Sequence, residues 1–127
     1  MKQILIIIIT CSIFQLNAQN IINYNTNDGL IGNMINCVAI ADVTNDVWVA
    51  TNSGVSRFNG STWINYTTAD GIVDNDVKTI TEASGNIWIG TDFGVSKFDG
   101  LNWTTYTTND GLAIDKVAHI AESPTGD

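Results

Sequence analysis

The sequence predicts an all-β fold: a partial β-propeller of four-stranded antiparallel blades of about 40 residues, set in an incomplete ring. Three observations predict it. Residues 86–100 restate residues 46–60, and Trp63, Tyr66 and Asp70-Gly71 fall on Trp103, Tyr106 and Asp110-Gly111, a period of 40. A repeat of this length is one supersecondary unit, stacked because it cannot bury its apolar face alone. Each copy also holds four short runs rich in Val, Ile, Thr and aromatic residues, fenced by turn formers. Finally, no window sustains a helical period, and the single proline, Pro124, interrupts none of the runs.

The elements follow in order. Lys2 precedes an apolar run at 4–14, and Ala18 offers a small residue before a cut, so residues 1–18 read as a secretory signal peptide. The run is too short for a membrane span. Residues 19–127 are then the N-terminal part of the propeller. Residues 21–26 look like the stretch that begins at Trp63, which predicts an outer strand that completes the last blade of a closed ring. One blade is expected over 36–67 and a second over 76–107, the latter with strands at 77–82, 86–91, 94–99 and 103–107. Only an antiparallel hairpin fits the short loop at Asp92-Phe93. Trp88 and Gly90 lie two apart and so share one face of their strand. Gly90, and Ala50 in the first copy, leave room for a neighbour from the next sheet. Burying each such Trp contributes about 2 kcal/mol or more. Residues 117–122 repeat 77–82 and predict the inner strand of another blade over 116–122. Two blades and two single strands cannot close a ring of roughly four to eight blades. The chain is therefore expected to be an amino-terminal fragment that meets its remaining blades elsewhere. The rival, a short chain that oligomerises into a ring, has to manage an exposed strand edge.

Charge excludes some partners. Thirteen acidic residues face five basic ones, a net charge of −8 at pH 7. Such a surface repels nucleic-acid backbones and anionic membranes, and no later segment is apolar enough for membrane insertion. Beyond the leader Cys37 is the sole cysteine, so there is no disulfide framework. Aligned with Val77 and Val117, it reads as a small packing residue.

Few residues invite chemistry. His119 is the only histidine and aligns with Ala39 and Thr79. Acid–base catalysis needs a positioned partner, and none is apparent, so it reads as a strand residue. Asp70, Asp74 and Asp76 crowd one inter-blade loop. They lack the alternation and distant Glu of a calcium loop, and Asp is an ordinary turn former. No cluster has zinc spacing. The expectation is therefore no catalytic residue, no metal and no cofactor. Asn59, Asn65 and Asn102 match the glycosylation sequon as accidents of a Thr- and Asn-rich repeat. Phe93 is the sharper candidate. At a hairpin tip beside Asp92, it is placed to stack on a sugar ring while the carboxylate takes a hydroxyl. Hairpin tips and inter-blade loops should share one ring face, so Asn52, Ser53, Asp92, Phe93, Asp74, Asn75 and Asp76 form one candidate patch for an oligosaccharide or other small ligand.

The chain resembles the two-component regulator propeller repeat. That pattern runs Gly or Asn, aliphatic, Trp, Ile or Val, Gly, Thr, two variable residues, Gly, Leu or Val, and later an aromatic followed by Asp or Asn and Gly. It is met here by Asn86-Ile87-Trp88-Ile89-Gly90-Thr91, Gly94-Val95 and Phe98-Asp99-Gly100, and in the first copy with Ala50 for the glycine. The Asp-Gly steps at Asp28, Asp70 and Asp110 fit as well. The resemblance implies the periplasmic sensor region of a hybrid histidine kinase, often responsive to glycan fragments, with a homodimer in the intact protein. Similar repeats also occur in secreted proteins without a kinase, so a secreted or cell-surface binding module is the alternative, and a propeller-based carbohydrate-active enzyme the more distant one. All three are exported.

Overall fold

The computed structural model describes residues 22–124. The leader and Ile21 lie outside them. Among the described residues eight strands form two four-stranded antiparallel sheets in strict sequence order. Blade 1 comprises β1 (Ile35–Ile40), β2 (Val47–Thr51), β3 (Gly54–Phe58) and β4 (Trp63–Tyr66). Blade 2 comprises β5 (Val77–Ala83), β6 (Asn86–Thr91), β7 (Gly94–Phe98) and β8 (Trp103–Tyr106). No ring is closed. Each blade is a meander because its connections are too short for anything but hairpins.

The sheets meet face to face along their inner strands, β5 lying against β1 and β2. The core is this interface. Trp48, Ala50 and Val55 of blade 1 pack with Val77, Ile80, Ile87, Ile89 and Phe98 of blade 2, and Ile72 from the connection joins them. The small residue at the Trp-x-Gly step has the expected reason. A Cβ on Gly90 would stand 2.7 Å from Thr79 Cγ2 and 2.7 Å from Val117 Cγ1. The neighbour is a valine from the following repeat.

The fourth strand of each blade is tied off by the same device. Thr67 and Thr107 cap 3-10 turns (Thr68–Asp70, Thr108–Asp110), as Asn25 caps Thr26–Asp28. The capping side chain accepts from the residue two on, and Asp28, Asp70 or Asp110 accepts in return from the cap N–H at 2.9, 2.8 and 2.9 Å. The glycine that follows closes the turn with a left-handed φ of 107–112°, a conformation that costs a side-chain-bearing residue free energy. The Asp-Gly step of the repeat is thus a reciprocal cap.

Three expectations need correction. Residues 22–26 form no outer strand: Ile22–Asn25 runs without a ladder and Thr26 already belongs to the 3-10 turn. Residues 116–122 form no inner strand, although Val117 N–H bonds to Thr91 O at 2.8 Å. Both segments match strand sequences, but a strand exists only where a partner takes its N–H and C=O groups, and none of the described sheets extends to them. The alignment of Cys37 with Val77 is also wrong. Ladder register sets Ile35 opposite Thr51 as Val77 is opposite Thr91, and Cys37 opposite Ala50 as Thr79 is opposite Gly90. Cys37 therefore corresponds to Thr79. Two extra residues in the β1–β2 turn shift the copy, and they move His119 into line with Thr79 and Cys37 rather than with Ala39. Cys37 packs against the core and its thiol reaches Ile80 O at 3.6 Å.

Candidate functional site

The candidate patch lies at one end of the sheets, where the β2–β3 and β6–β7 hairpins turn and the inter-blade loops arrive. The hairpins are rigid for a reason visible in both copies. Thr51 and Thr91 are fully buried. Their hydroxyls donate to Gly54 O and Gly94 O at 2.9 and 3.1 Å and accept from Ser53 N–H and Phe93 N–H at 3.0 Å. Gly54 and Gly94 take φ of +135°, and a Cβ there would stand 2.5 Å from the carbonyl oxygen of Tyr66 or Tyr106. This fixes the two tip residues pointing outward. Asn52 and Ser53 are exposed, Asp92 is half-buried, and Phe93 is 63% exposed. Phe93 does not fold back onto a neighbour.

The inter-blade loop contributes unequally. Asn75 Oδ1 accepts from Thr68 N–H at 2.8 Å, as Asn33 and Asp115 do from Thr26 and Thr108 at 3.0 and 2.6 Å. Asn75 is thus a loop brace common to every copy. Asp70 is held by its cap. Asp76 instead pairs with Lys78 Nζ at 2.6 Å. The hydrogen bond that Lys78 donates to Asp76, with the nearby charges of Asp76, Asp92 and Asp74, raises the Lys78 pKa above its ordinary value. Asp76 therefore holds the ammonium directly, and the charges of Asp92 and Asp74 act on it from a greater distance. Asn52 and Ser53 share this end but bond within blade 1, Ser53 Oγ to Asn52 Oδ1 at 3.2 Å and Asn52 N–H to Met34 O at 3.3 Å.

Lys78 was not in the patch the sequence suggested. In sequence it follows Asp74 and Asp76 closely, but nothing there ties it to Asp92. Among the described residues no group of three or more His, Cys, Asp or Glu side chains could hold a metal ion. His119 is exposed. The arrangement is suited to reversible recognition: an exposed ring next to oriented acceptors and one donor, on turns that cannot relax.

A buried relay beneath the patch was also missed. Ser56 and Ser96 are fully buried. Ser56 Oγ accepts from Ile31 N–H at 2.9 Å and donates to Asn65 Oδ1 at 2.6 Å, and Asn65 Nδ2 donates to Gly29 O at 2.9 Å. In blade 2, Ser96 Oγ accepts from Val73 N–H at 2.9 Å and lies 3.3 Å from Thr105 Oγ1, which donates to Gly71 O at 3.1 Å. Thr105 gives its proton to Gly71, so Ser96 is the donor between them. The relay fastens each inter-blade loop to the blade it enters. A serine recurring inside an apolar strand was its sequence signal.

The opposite end holds a small cavity of about 80 Å³ between the blades, lined by Trp48, Arg57, Glu82 and Phe98 among others. Arg57 lies over the Trp48 ring at 5.3 Å and pairs with Asp46 at 2.5 Å. Burial pulls the Arg57 pKa down, but hydrogen bonds with Tyr66 and Asp46 outweigh it, and the group stays above its ordinary value.

No family model matches the chain. No curated protein matches it. Among solved structures it is similar to one described as the extracellular domain of a putative hybrid two component system, BT3049 from B. thetaiotaomicron, with a TM-score of 0.71 and 22% sequence identity. The match takes in 82% of this chain and 16% of that one, so this chain spans a small part of its neighbour's length. The repeat residues and the neighbour agree: this chain is two blades of a β-propeller, in the fold found in the extracellular domain of that hybrid two component system protein.

Proposed function

We propose that these blades belong to an exported, non-catalytic β-propeller that binds a ligand for a two-component regulatory system. The observation that carries this reading is the shared fold with the extracellular domain of a hybrid two component system protein. Export also fits the leader-like residues 1–18, and no helix among the described residues is long and apolar enough to cross a membrane. The ligand is an oligosaccharide or another small polyhydroxylated molecule, stacked on Phe93 with hydroxyls shared among Asp92, Asp74 and Lys78. Binding signals by favouring one arrangement of two propeller-bearing subunits, which requires different affinity for the two arrangements.

Calorimetric titration with neutral oligosaccharides tests the site. Phe93→Ala should weaken binding about fivefold, since stacking on an exposed ring is worth on the order of 1 kcal/mol. Unchanged affinity would remove Phe93 from the reading. Reading the gene beyond residue 127 tests the system: a membrane helix and a kinase support signalling, and a stop after the last blade supports the secreted binding module.

A further inference from the structure

The turn between the third and fourth strands has one geometry built on two different side chains. In blade 1 it reads Asn59-Gly60-Ser61-Thr62 and in blade 2 Asp99-Gly100-Leu101-Asn102, and both turns are exposed throughout. Asn59 Oδ1 accepts from Ser61 N–H at 3.0 Å and Thr62 N–H at 2.9 Å, with Thr62 Oγ1 at 3.4 Å. Asp99 Oδ1 accepts from Leu101 and Asn102 N–H groups at 2.9 and 2.8 Å. A backbone bond closes each turn, Asn59 N–H to Thr62 O at 3.3 Å and Asp99 N–H to Asn102 O at 3.2 Å. Asn59-Gly60 is the one Asn-Gly step in the chain. A Cβ on Gly60 would meet nothing within 4 Å.

We propose that Asn59 is a modification site, converted by spontaneous deamidation into an aspartate that reproduces the turn of blade 2. The backbone nitrogen of Gly60 gives its proton to hydroxide and attacks Asn59 Cγ. A C–N bond forms and negative charge gathers on Oδ1. The Cγ–Nδ2 bond then breaks, and Nδ2 takes a proton from water and leaves as ammonia. Water opens the cyclic imide that remains. The balance is one water consumed and one ammonia released. Ser61 and Thr62 N–H groups already hold the oxygen on which the charge develops, as an oxyanion hole does. Gly60 has no side chain to crowd the closing ring. None of the described residues accepts from Asn59 Nδ2, so the leaving group faces solvent. Asn65 differs on the last two counts: Tyr66 follows it, and its Nδ2 donates to Gly29 O at 2.9 Å. The same two N–H groups polarise Cγ in the imide. Water therefore enters there and leaves an ordinary aspartate, rather than at the main-chain carbonyl, which would give isoaspartate with an extra methylene in the backbone. Asp99 shows that the aspartate fits, and an ionised oxygen is the stronger acceptor. The net charge of the chain goes from −8 to about −9.

Ageing of the folded full chain at mildly alkaline pH, followed by peptide mass mapping, tests the proposal. Asn59 should convert before any other asparagine, and more slowly as pH falls. The aged chain should elute with Asn59→Asp on anion exchange. Aspartate should outnumber isoaspartate at position 59 in the folded chain, and the order should reverse in a chain aged in urea. Asn59→Asp should unfold at the wild-type urea midpoint, and Asn59→Gln should age without the charge change. An Asn59 that survives in the folded chain while converting in urea overturns the proposal. So does earlier conversion of another asparagine, an excess of isoaspartate in the folded chain, or an Asn59→Asp chain that unfolds more readily.

Discussion

The two tryptophans of the repeat sit in the same strand position and meet different fates. Trp48 is 2% exposed, enclosed by Tyr66 of its own blade and by Phe98 and Trp103 of the next. Trp88 stacks on Tyr106 under Lys97 but is only half-buried, because among the described residues no second aromatic pair closes over it. The connecting loops show the same contrast. Gly71 lies against Trp103 Cβ and Gly29 against Trp63, while the equivalent Gly111 has open space around it. The blade thus supplies half of each aromatic cage, and the neighbouring repeat supplies the other half. Hydrogen bonds divide differently. The hairpin staples of Thr51 and Thr91, and the reciprocal caps, are complete within a single repeat.

The comparison can be broken by stability measurements. Trp48→Ala should cost the most, about 3–5 kcal/mol in urea unfolding, because it empties a closed cage. Trp88→Ala should cost under half as much, and equal losses would show that the cage contributes little. Gly90→Ala should cost about 1–3 kcal/mol by overpacking against Thr79 and Val117, and an uncoupled Val117 would leave it neutral. Ser96→Ala and Ser56→Ala should each cost about 1–2 kcal/mol, as a buried N–H loses its acceptor. Their similarity would sharpen the division between blade-internal and interface terms.

The smallest effect is pH-dependent and confined to one blade. Asp99 Oδ1 accepts from Leu101 and Asn102 N–H groups at 2.9 and 2.8 Å. The bonds from Asn102 and Leu101 hold its pKa below the ordinary value. A carboxylate lowered in the folded state contributes stability above its unfolded pKa and loses it as pH falls through the folded one. In blade 1, Asn59 Oδ1 makes the same bonds to Ser61 and Thr62 at 3.0 and 2.9 Å without a titrating group. Asp99→Asn should therefore flatten a small part of the acid limb of stability. An NMR titration of Asp99 with an ordinary midpoint would remove that account.

Much of this was legible in the residues. Period, strand count, hairpin order and the need for a small residue at position 90 follow from side-chain alternation and turn chemistry, which are local. The place of Phe93 at a hairpin tip followed for the same reason, but the outward aim of its ring did not, since a tip aromatic can also fold back onto the adjacent blade. The charge of Asp92 on Lys78 was not legible, because it acts only across a strand pair. The Ser56 and Ser96 relays escaped as well, since each joins residues 23–36 positions apart.

By itself the sequence determined the repeating unit, its four strands and the rigidity of its turns, because these depend on near neighbours and on backbone preference. Only the tertiary structure decided the rest. It set Cys37 opposite Ala50 rather than Thr51, since ladder register alone shows where a two-residue insertion falls. It left the segments around Tyr24 and Val117 without ladders, since a strand is completed by its partner's hydrogen bonds and not by its own side chains.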